Sequence, residues 1–284
     1  MNYKLPLTIV PFIFFYIDGG CQQTPADAGF TNKAEAENKM VSGVKEGKWI
    51  EYIDATGDTT QDANQAIFYS LTVYKAGEPN GIKREYRKGK LQYETPYVEG
   101  KINGVKKEYY KSGYMRSETP YTDDDRNGIK KEYYDSGRIQ TETPYLKDTI
   151  NGVKKIYFES GKLEEETPYK NDILDGVKKE YYPNGKIQTE TPYLAYNVNG
   201  VKKEYYESGQ LESEDPYLND LEDGVKKEYY ESGKIQAETS FTADLLNGPY
   251  MEYYENGKIK AEIVYKDGVA VLTKKYDASG NEIK

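Results

Sequence analysis

The side chains that most often carry catalysis or bind metals are scarce in this chain of 284 residues. The sequence contains no histidine and a single cysteine, Cys21. Histidine-based catalytic triads, Cys–His pairs, histidine-ligated metals and an intramolecular disulfide are therefore excluded. Tyrosine, by contrast, accounts for 31 residues, and it offers a partner a large contact area at little entropic cost. The composition thus favours binding over a reaction.

Acidic clusters suggest two candidate chemistries, and the sequence argues against both. Residues 123–128 begin like the calcium loop of an EF-hand, but the twelfth position, which needs a bidentate Glu, is Tyr134. The run Glu164–Glu166 could supply the paired carboxylates of a glycosidase. Similar acidic residues recur along most of the chain, whereas catalysis needs one unique arrangement. We therefore predict no enzyme, no metal and no cofactor.

Basic residues do not form a track for nucleic acid. The net charge is −9 at pH 7, which disfavours phosphate as the main partner. Lysine pairs such as Lys106–Lys107 and Lys202–Lys203 are each followed by Glu, and adjacent residues of a strand point to opposite faces. We predict that the protein binds no nucleic acid.

Paired tyrosines are the strongest candidate for a binding surface. They recur at one place in a repeated pattern, as at Tyr133–Tyr134. One tyrosine of each pair is expected to pack inward, and the other to stay partly exposed for contact with a protein, a peptide or a glycan. The alternative is that both rows only stabilise the fold. The predicted interaction row is Tyr110, Tyr134, Tyr182, Tyr206, Tyr230 and Tyr254.

A repeat of 24 residues carries these tyrosines. An Asn-Gly or Asp-Gly pair recurs from Asn80–Gly81 to Asn247–Gly248, with one step of 23 residues and six of 24. A second glycine series runs from Gly89 to Gly257, always in steps of 24. Two glycine series that stay in phase over about 180 residues indicate a repeat architecture.

Each unit of the repeat is typical of a β-hairpin. Residues alternate in type through Ile129–Tyr134 and Ile139–Tyr145, and Asp135–Gly137 supplies a tight turn between them. Proline cannot donate to a β-ladder, so Pro144 is expected near the end of the second strand. The predicted fold is all-β: an extended array of antiparallel hairpins, with about eight regular units that stabilise one another and irregular caps.

Period-two geometry sorts the side chains of the hairpin onto two faces. Ile129 and Tyr133 share a face in the first strand, and Ile139 and Tyr145 share one in the second. We expect these aliphatic and tyrosine side chains to form the more buried face. Stacked units would then align tyrosine columns and Lys–Glu ladders, with tyrosine replacing a thick aliphatic core.

The first 20 residues are typical of a signal peptide. A short basic start precedes an apolar run at residues 5–17 that is too short to span a bilayer. Two glycines then lead to Cys21, an arrangement that resembles the bacterial lipoprotein signal and predicts lipidation of Cys21. Asp18 lies three residues before Cys21, at a position where such signals usually have a leucine-like residue. Ordinary cleavage and an uncleaved anchor are the alternatives, and residues 21–41 are predicted to be a flexible tether.

The remaining domain boundaries follow from the repeat. Residues 42–80 are interpreted as an irregular N-terminal capping repeat, which holds the only tryptophan, Trp49. Residues 81–265 form the regular repeats. Residues 266–284 are interpreted as a C-terminal cap whose charged tail would close the last sheet edge.

Two recurring sequences carry a family resemblance. The run Gly-Lys-Trp-Ile-Glu-Tyr at residues 47–52, and the repeated Lys-Lys-Glu-Tyr-Tyr followed by a turn and Gly-Lys-Ile, resemble the bacterial variant of the MORN (membrane occupation and recognition nexus) repeat. The resemblance implies extended hairpin sheets and a scaffolding role in protein–protein or membrane-associated assemblies. Some bacterial members are antitoxin components. No kinase or methyltransferase domain accompanies the repeats, so no enzymatic role is implied.

The sequence therefore predicts a non-enzymatic repeat protein, anchored by a lipid to a bacterial cell envelope, with the outer membrane or cell surface favoured. Its partner is expected to be another protein of unknown identity, besides the membrane that the anchor enters. An antitoxin-like protein that neutralises a partner toxin is the alternative. A protein that binds glycan or cell wall through the tyrosine row is the second alternative.

Overall fold

The computed structural model of the protein describes residues 28–283. The predicted signal peptide and Cys21 lie outside the described residues. Within the described part, the chain folds as an antiparallel sheet of 29 strands with one short 3₁₀ helix, Lys33–Glu35. The all-β hairpin array predicted from the two glycine series is confirmed. In the same part, no helix has the length and hydropathy needed to cross a membrane.

The strands are described in three groups along the chain: an N-terminal group, a regular series and a C-terminal group. The N-terminal group is β1 (Lys39–Val41), β2 (Val44–Ile53), β3 (Thr59–Thr60), β4 (Phe68–Lys75), β5 (Glu78–Pro79), β6 (Gly81–Arg87), β7 (Lys90–Val98), β8 (Lys101–Ile102) and β9 (Gly104–Tyr109). The regular series is β10 (Met115–Thr122), β11 (Asp125–Arg126), β12 (Gly128–Tyr133), β13 (Ile139–Leu146), β14 (Thr149–Ile150), β15 (Gly152–Tyr157), β16 (Leu163–Lys170), β17 (Ile173–Leu174), β18 (Gly176–Tyr181), β19 (Ile187–Leu194), β20 (Asn197–Val198), β21 (Gly200–Tyr205), β22 (Leu211–Leu218), β23 (Leu221–Glu222), β24 (Gly224–Tyr229) and β25 (Ile235–Thr242). The C-terminal group is β26 (Leu245–Tyr253), β27 (Ile259–Lys266), β28 (Val269–Tyr276) and β29 (Glu282–Ile283).

One hairpin, β12–β13, shows how a unit is built. Its register runs from Gly128 opposite Tyr145 to Tyr133 opposite Ile139, with a bulge beside Tyr133. Gly137, at φ +83°, closes the tight turn in the left-handed region that glycine adopts without strain. The outer edge of β13 pairs with β15 of the next unit. Each unit therefore adds two long strands to the same sheet.

The register defines two faces, because directly opposite residues of an antiparallel pair project to the same side. Within β12–β13, Ile129 lies opposite Pro144, and Lys130 lies opposite Thr143. We call the side of Pro144 the proline face and the side of Thr143 the threonine face, in this and every other unit. The proline face of this unit contains Ile129, Lys131, Tyr133, Glu142 and Pro144; the threonine face contains Lys130, Glu132, Thr141 and Thr143.

The expected burial of the two faces is wrong. The register separates the two sets that were expected to pack together, since Ile129 and Thr143 lie on opposite faces. Ile129 is 51% exposed, whereas Thr143 is only 5% exposed. The reason is that the sheet has a single layer here. An aliphatic side chain stays exposed when nothing lies over it, while a short threonine is enclosed by longer neighbours such as Lys130.

The buried residues of the described chain are mostly small and polar. Only Phe30, Leu71, Ala237 and Ala261 are buried hydrophobic residues within residues 28–283. Buried threonines and serines on the threonine face recur instead from unit to unit, among them Thr95, Thr119, Thr143, Thr167, Thr191, Ser213 and Thr239. Stability must therefore come from contacts between neighbouring units, summed along the array.

The described part of the predicted tether, residues 28–41, is held to the sheet at a few points, while most of its side chains are exposed. Phe30 is only 3% exposed, and β1 pairs with the start of β2. Asn38 extends this edge, because its side-chain amide donates to the carbonyl of Ile50 at 3.2 Å and accepts from the amide of Ile50 at 2.8 Å. One aromatic residue and one asparagine thus hold parts of residues 28–41 to the sheet, and a flexible tether over residues 21–41 stays a prediction.

Candidate interaction surface

The centre of the proline face is a ladder of tyrosine, glutamate and lysine side chains. Tyr133 donates its hydroxyl to Glu118 of the preceding unit at 2.7 Å, and the Lys131 ammonium lies 3.4 Å from the same carboxylate. The tyrosine column and the Lys–Glu ladder predicted from the repeat are therefore present. The same tyrosine–glutamate bond joins Tyr109 to Glu94, Tyr157 to Glu142, Tyr181 to Glu166, Tyr205 to Glu190, Tyr229 to Glu214 and Tyr253 to Glu238, at 2.7–3.1 Å.

This ladder holds the tyrosines in their neutral form. Burial, followed by the hydrogen bond to glutamate, raises the pKa of Tyr157, Tyr205 and Tyr229 to about 12. The same causes raise the pKa of Tyr133 and Tyr181 still further. A tyrosinate beside a carboxylate would be repelled by it, so each hydroxyl serves as a donor and each glutamate as an acceptor. The ladder is a structural joint between units.

The predicted interaction row lies at a second joint between units. Its six tyrosines are half-buried rather than freely exposed, and each donates its hydroxyl to a backbone carbonyl of the next unit. Tyr134, for example, donates to the carbonyl of Tyr157 at 2.7 Å. The equivalent bonds of Tyr110, Tyr182, Tyr206, Tyr230 and Tyr254 measure 2.6–2.9 Å. A structural role is therefore visible for this row, and its role in binding stays a prediction.

The acidic and basic motifs of the sequence also serve joints between units. Asp124 accepts a hydrogen bond from the amide of Ile102 at 2.7 Å, one unit earlier in the chain. Glu165 lies 3.1 Å from the ammonium of Lys178 in the next unit, whereas Lys202 pairs at 2.6 Å with Glu204 of its own strand. Among the described residues, no group of three or more acidic or cysteine side chains is placed to hold a metal ion.

An exposed hydrophobic stripe runs along the proline face, and sequence reasoning missed it. It consists of the aliphatic residue that follows the Asn-Gly or Asp-Gly pair in five successive units, and each is exposed by 44–51%. In four of the five units this residue lies directly opposite a proline, as Val177 lies opposite Pro192. At about 4.8 Å per strand, the stripe spans about 38 Å. Its residues are Ile129, Val153, Val177, Val201 and Val225.

The same face is covered at the N-terminal end of the sheet. Residues 28–35, which we call the covering segment, lie over the proline face of β2, β4 and β6. The Arg84 guanidinium donates to the carbonyls of Ala28 and Phe30 at 3.1 and 3.2 Å. The Lys33 ammonium lies 3.8 Å from the centre of the Tyr69 ring. Beneath the segment, Leu71 is fully buried, with 0% of its surface exposed.

Covering changes the charged pairs of this face. Arg84 and Glu94, under the covering segment, are separated by 2.9 Å, and their side chains are 12% and 17% exposed. Lys155 and Glu166 occupy the matching positions of an uncovered unit. They are separated by 3.6 Å and are 39% and 26% exposed. The uncovered lysines therefore keep donor capacity toward solvent that Arg84 uses for the covering segment.

Comparison with known families identifies the repeats. Six successive segments of the chain match the MORN repeat variant. None of the curated proteins compared with the chain matches it. The exposed hydrophobic stripe lies within the matched part of the array. The matched segments are residues 126–147, 150–171, 174–195, 198–219, 222–243 and 246–267.

Proposed function

We propose that this MORN-repeat protein is a non-enzymatic scaffold that binds another protein on the proline face of its repeats, while a lipid on Cys21 holds it at a bacterial cell envelope. The exposed hydrophobic stripe carries the binding part of the proposal. Contiguous apolar patches on a protein surface commonly mark interaction sites. MORN repeats are consistent with a role in protein or membrane interaction.

The regularity of the polar contacts supports a non-enzymatic role. Tyr133, Tyr181 and Tyr229 each make the same bond to a glutamate of the preceding unit. A catalytic site needs one set of groups whose surroundings differ from those of its neighbours. The glutamates and tyrosine hydroxyls of this ladder instead make the same bond in successive units and join each unit to its neighbour.

The binding face is tested by photocrosslinking in the organism that makes the protein. A photoreactive amino acid at Val177 lies on the stripe, and one at Leu194, which is 56% exposed at the end of β19 and lies outside the stripe, is a matched control. We expect a discrete crosslinked partner from position 177 and much less from position 194. Equal crosslinking at both positions, or none at position 177, would contradict the proposal.

The anchor is tested separately. The apolar run at residues 5–17 followed by Cys21 supports export and lipidation. Replacing Cys21→Ala is expected to move the protein from the membrane fraction to the soluble fraction. A parallel Asp18→Ala variant controls for damage to the signal itself. Membrane retention of the Cys21→Ala variant equal to that of the parent would rule out lipid anchoring.

The two alternatives make different demands. Neutralisation of a toxin rests on family resemblance alone; a toxin-like gene beside this one would favour it, and the absence of such a gene would weaken it. Binding of glycan through the tyrosine row would need hydroxyls such as that of Tyr134, which already donates to a backbone carbonyl. Contact with the aliphatic stripe breaks no hydrogen bond within the sheet, so we favour a protein partner.

A further inference from the structure

We infer that the partner segment bound by the proline face is an extended, basic peptide with an aromatic anchor, which lies across the strands as the covering segment does. This inference rests on the proposed function and names the chemistry of its partner. The argument begins with the covering segment, because it shows how the protein fills this face where it is filled.

The covering segment lies directly on the sheet and is held by its backbone. Gly29 comes so close to β6 that a Cβ atom there would lie 2.4 Å from the carbonyl oxygen of Ile82. Arg84 holds the carbonyls on either side of Gly29. Phe30 then buries its ring. The elements of recognition are thus an aliphatic residue, a cationic donor to main-chain carbonyls, and room for one aromatic ring.

Every regular unit repeats the aliphatic residue and the cationic donor in the same register. Ile82 opposite Pro96 corresponds to Ile129 opposite Pro144, and Arg84 opposite Glu94 corresponds to Lys131 opposite Glu142. The stacked ring of Tyr86 corresponds to Tyr133. Main-chain carbonyls of a bound peptide would therefore face a row of half-exposed lysines. The residues equivalent to Arg84 are Lys107, Lys131, Lys155, Lys179, Lys203 and Lys227.

The tyrosines and glutamates of the face offer a site for a single basic side chain. Lys33 of the covering segment lies 3.8 Å from the ring of Tyr69 and 5.7 Å from that of Tyr52, a cation–π arrangement. The regular units offer an equivalent tyrosine beside a glutamate, as Tyr181 lies beside Glu166. The whole chain carries a net charge of −9. A lysine or arginine three residues after the aromatic anchor would match both features.

The probe is a fluorescent peptide that contains two copies of Phe-Thr-Asn-Lys, the sequence of Phe30–Lys33, joined by Gly-Ser. Binding to the whole protein is followed by fluorescence anisotropy. Saturable binding is expected, and the triple variant Val153→Ser, Val177→Ser, Val201→Ser should weaken it by about tenfold or more, the equivalent of about 1.4 kcal/mol. The matched strand-end variant Leu146→Ser, Leu194→Ser, Leu218→Ser, which changes exposed leucines outside the stripe, should bind as the parent does, with circular dichroism confirming that both variants are folded.

Two further probes test the chemistry of the peptide. Changing both phenylalanines of the probe to alanine, or both lysines to glutamate, is expected to abolish saturable binding. The inference is overturned if the parent protein shows no saturable binding, or if the strand-end variant weakens binding as much as the stripe variant. It is also overturned if only a Phe30→Ala protein binds the probe, because the peptide would then fill only the site that the covering segment leaves.

Failure of this inference can be told apart from failure of the proposed function. If the photoreactive residue at position 177 captures a discrete partner while the probe peptides do not bind, the proline face is a binding surface for a partner of other chemistry. If position 177 captures no partner and the probe peptides do not bind, the proposed function and the peptide inference both fail.

Discussion

The proline face is covered over β2–β6 and open over β12–β24, although both parts have the same strand pairing. The difference lies at the centre of the face. Ile50 and Leu71 oppose each other in the covered part, whereas Lys131 and Glu142 oppose each other in the first open unit. The apolar pair at the centre therefore lies where a segment of the chain itself covers the face.

This contrast shows what burial means in a sheet of one layer. Leu71 is fully buried because the covering segment lies over it, while Val177, on the same face, is 45% exposed. In a layered fold, a second layer would bury both residues. Here the sequence of the strands decides the register, and a separate part of the chain, or a partner, decides which side chains lose their contact with water.

The largest expected effect comes from truncating the covered core. Leu71→Ala should lower the free energy of unfolding of the N-terminal units by about 2–5 kcal/mol, the usual cost of a buried leucine. Val177→Ala, its exposed counterpart, should change stability by no more than about 0.5 kcal/mol. Urea denaturation followed by tryptophan fluorescence reports on Trp49, which lies in β2 beside Leu71's strand. Circular dichroism follows the whole array. Equal losses for the two variants would remove the basis of the comparison.

Uncovering the face without touching the sheet should have the next largest effect. Phe30→Ala removes the anchor of the covering segment, and burial of a phenylalanine is worth about 1.5–3 kcal/mol. Amide hydrogen exchange in β2 and β4 is therefore expected to speed up by about tenfold to a hundredfold. Exchange in β18 and β19 should stay unchanged. Faster exchange throughout the array would mean that the segment supports the repeats as well as the face beneath it.

Alkaline pH should affect the open units through their tyrosine–glutamate ladder. The pKa values of Tyr157, Tyr205 and Tyr229 are raised to about 12 in the folded protein, against about 10 in an unfolded chain. The neutral form is therefore preferred in the folded state. The stability that these three tyrosines contribute in their neutral form is complete below about pH 10 and is lost as the pH rises from about 10 to about 12.

The measurement is urea denaturation at several alkaline pH values, followed by circular dichroism. Replacing Tyr157, Tyr205 and Tyr229 with phenylalanine removes three ionisable hydroxyls and should reduce the slope of stability against pH in that interval. A slope that is the same in parent and variant would assign the loss to other groups.

The sequence predicts the architecture well because the architecture depends on local signals. Gly137 and its equivalents set the tight turns, and Pro144 marks the end of the second strand, so the hairpin and its period follow from residue types alone. Burial could not be predicted in the same way. Alternation separates Ile129 from Lys130, but it does not say which face a second segment covers. The covering segment had one signal in the sequence, the isolated aromatic residue Phe30 within a polar stretch.

The bonds of the predicted interaction row were also beyond sequence reasoning. Pairing of Tyr133 and Tyr134 indicates that one of them points outward, and exposure is the simplest expectation for it. The hydroxyl of Tyr134 instead reaches the carbonyl of Tyr157, 23 residues further on. Such a bond depends on how closely consecutive units stack, which no single unit reveals.

The smallest expected effect distinguishes these joints from one another. Phe158 occupies the position of Tyr134 in the next unit, with the same turn bond, from its amide to the carbonyl of Lys162 at 2.9 Å. It lacks the hydroxyl that would reach the carbonyl of Tyr181. A cavity of about 400 Å³ lies beside it, lined in part by Tyr181 and Tyr182. Phe158→Tyr therefore has room for the missing donor, and should raise the free energy of unfolding by about 0.5–1.5 kcal/mol.

The matched reverse change is Tyr182→Phe, which removes the bond to the carbonyl of Tyr205 at 2.7 Å. It should cost a similar amount, since the aromatic ring and its packing are kept. Urea denaturation of both variants and of the double variant gives the two effects and their sum. If Phe158→Tyr adds nothing while Tyr182→Phe destabilises the protein, the units meet differently at the two joints, and the cavity reflects a local change in stacking. If both changes are neutral, the row contributes no stability through its hydroxyls, and contact with a partner becomes the better explanation for its tyrosines.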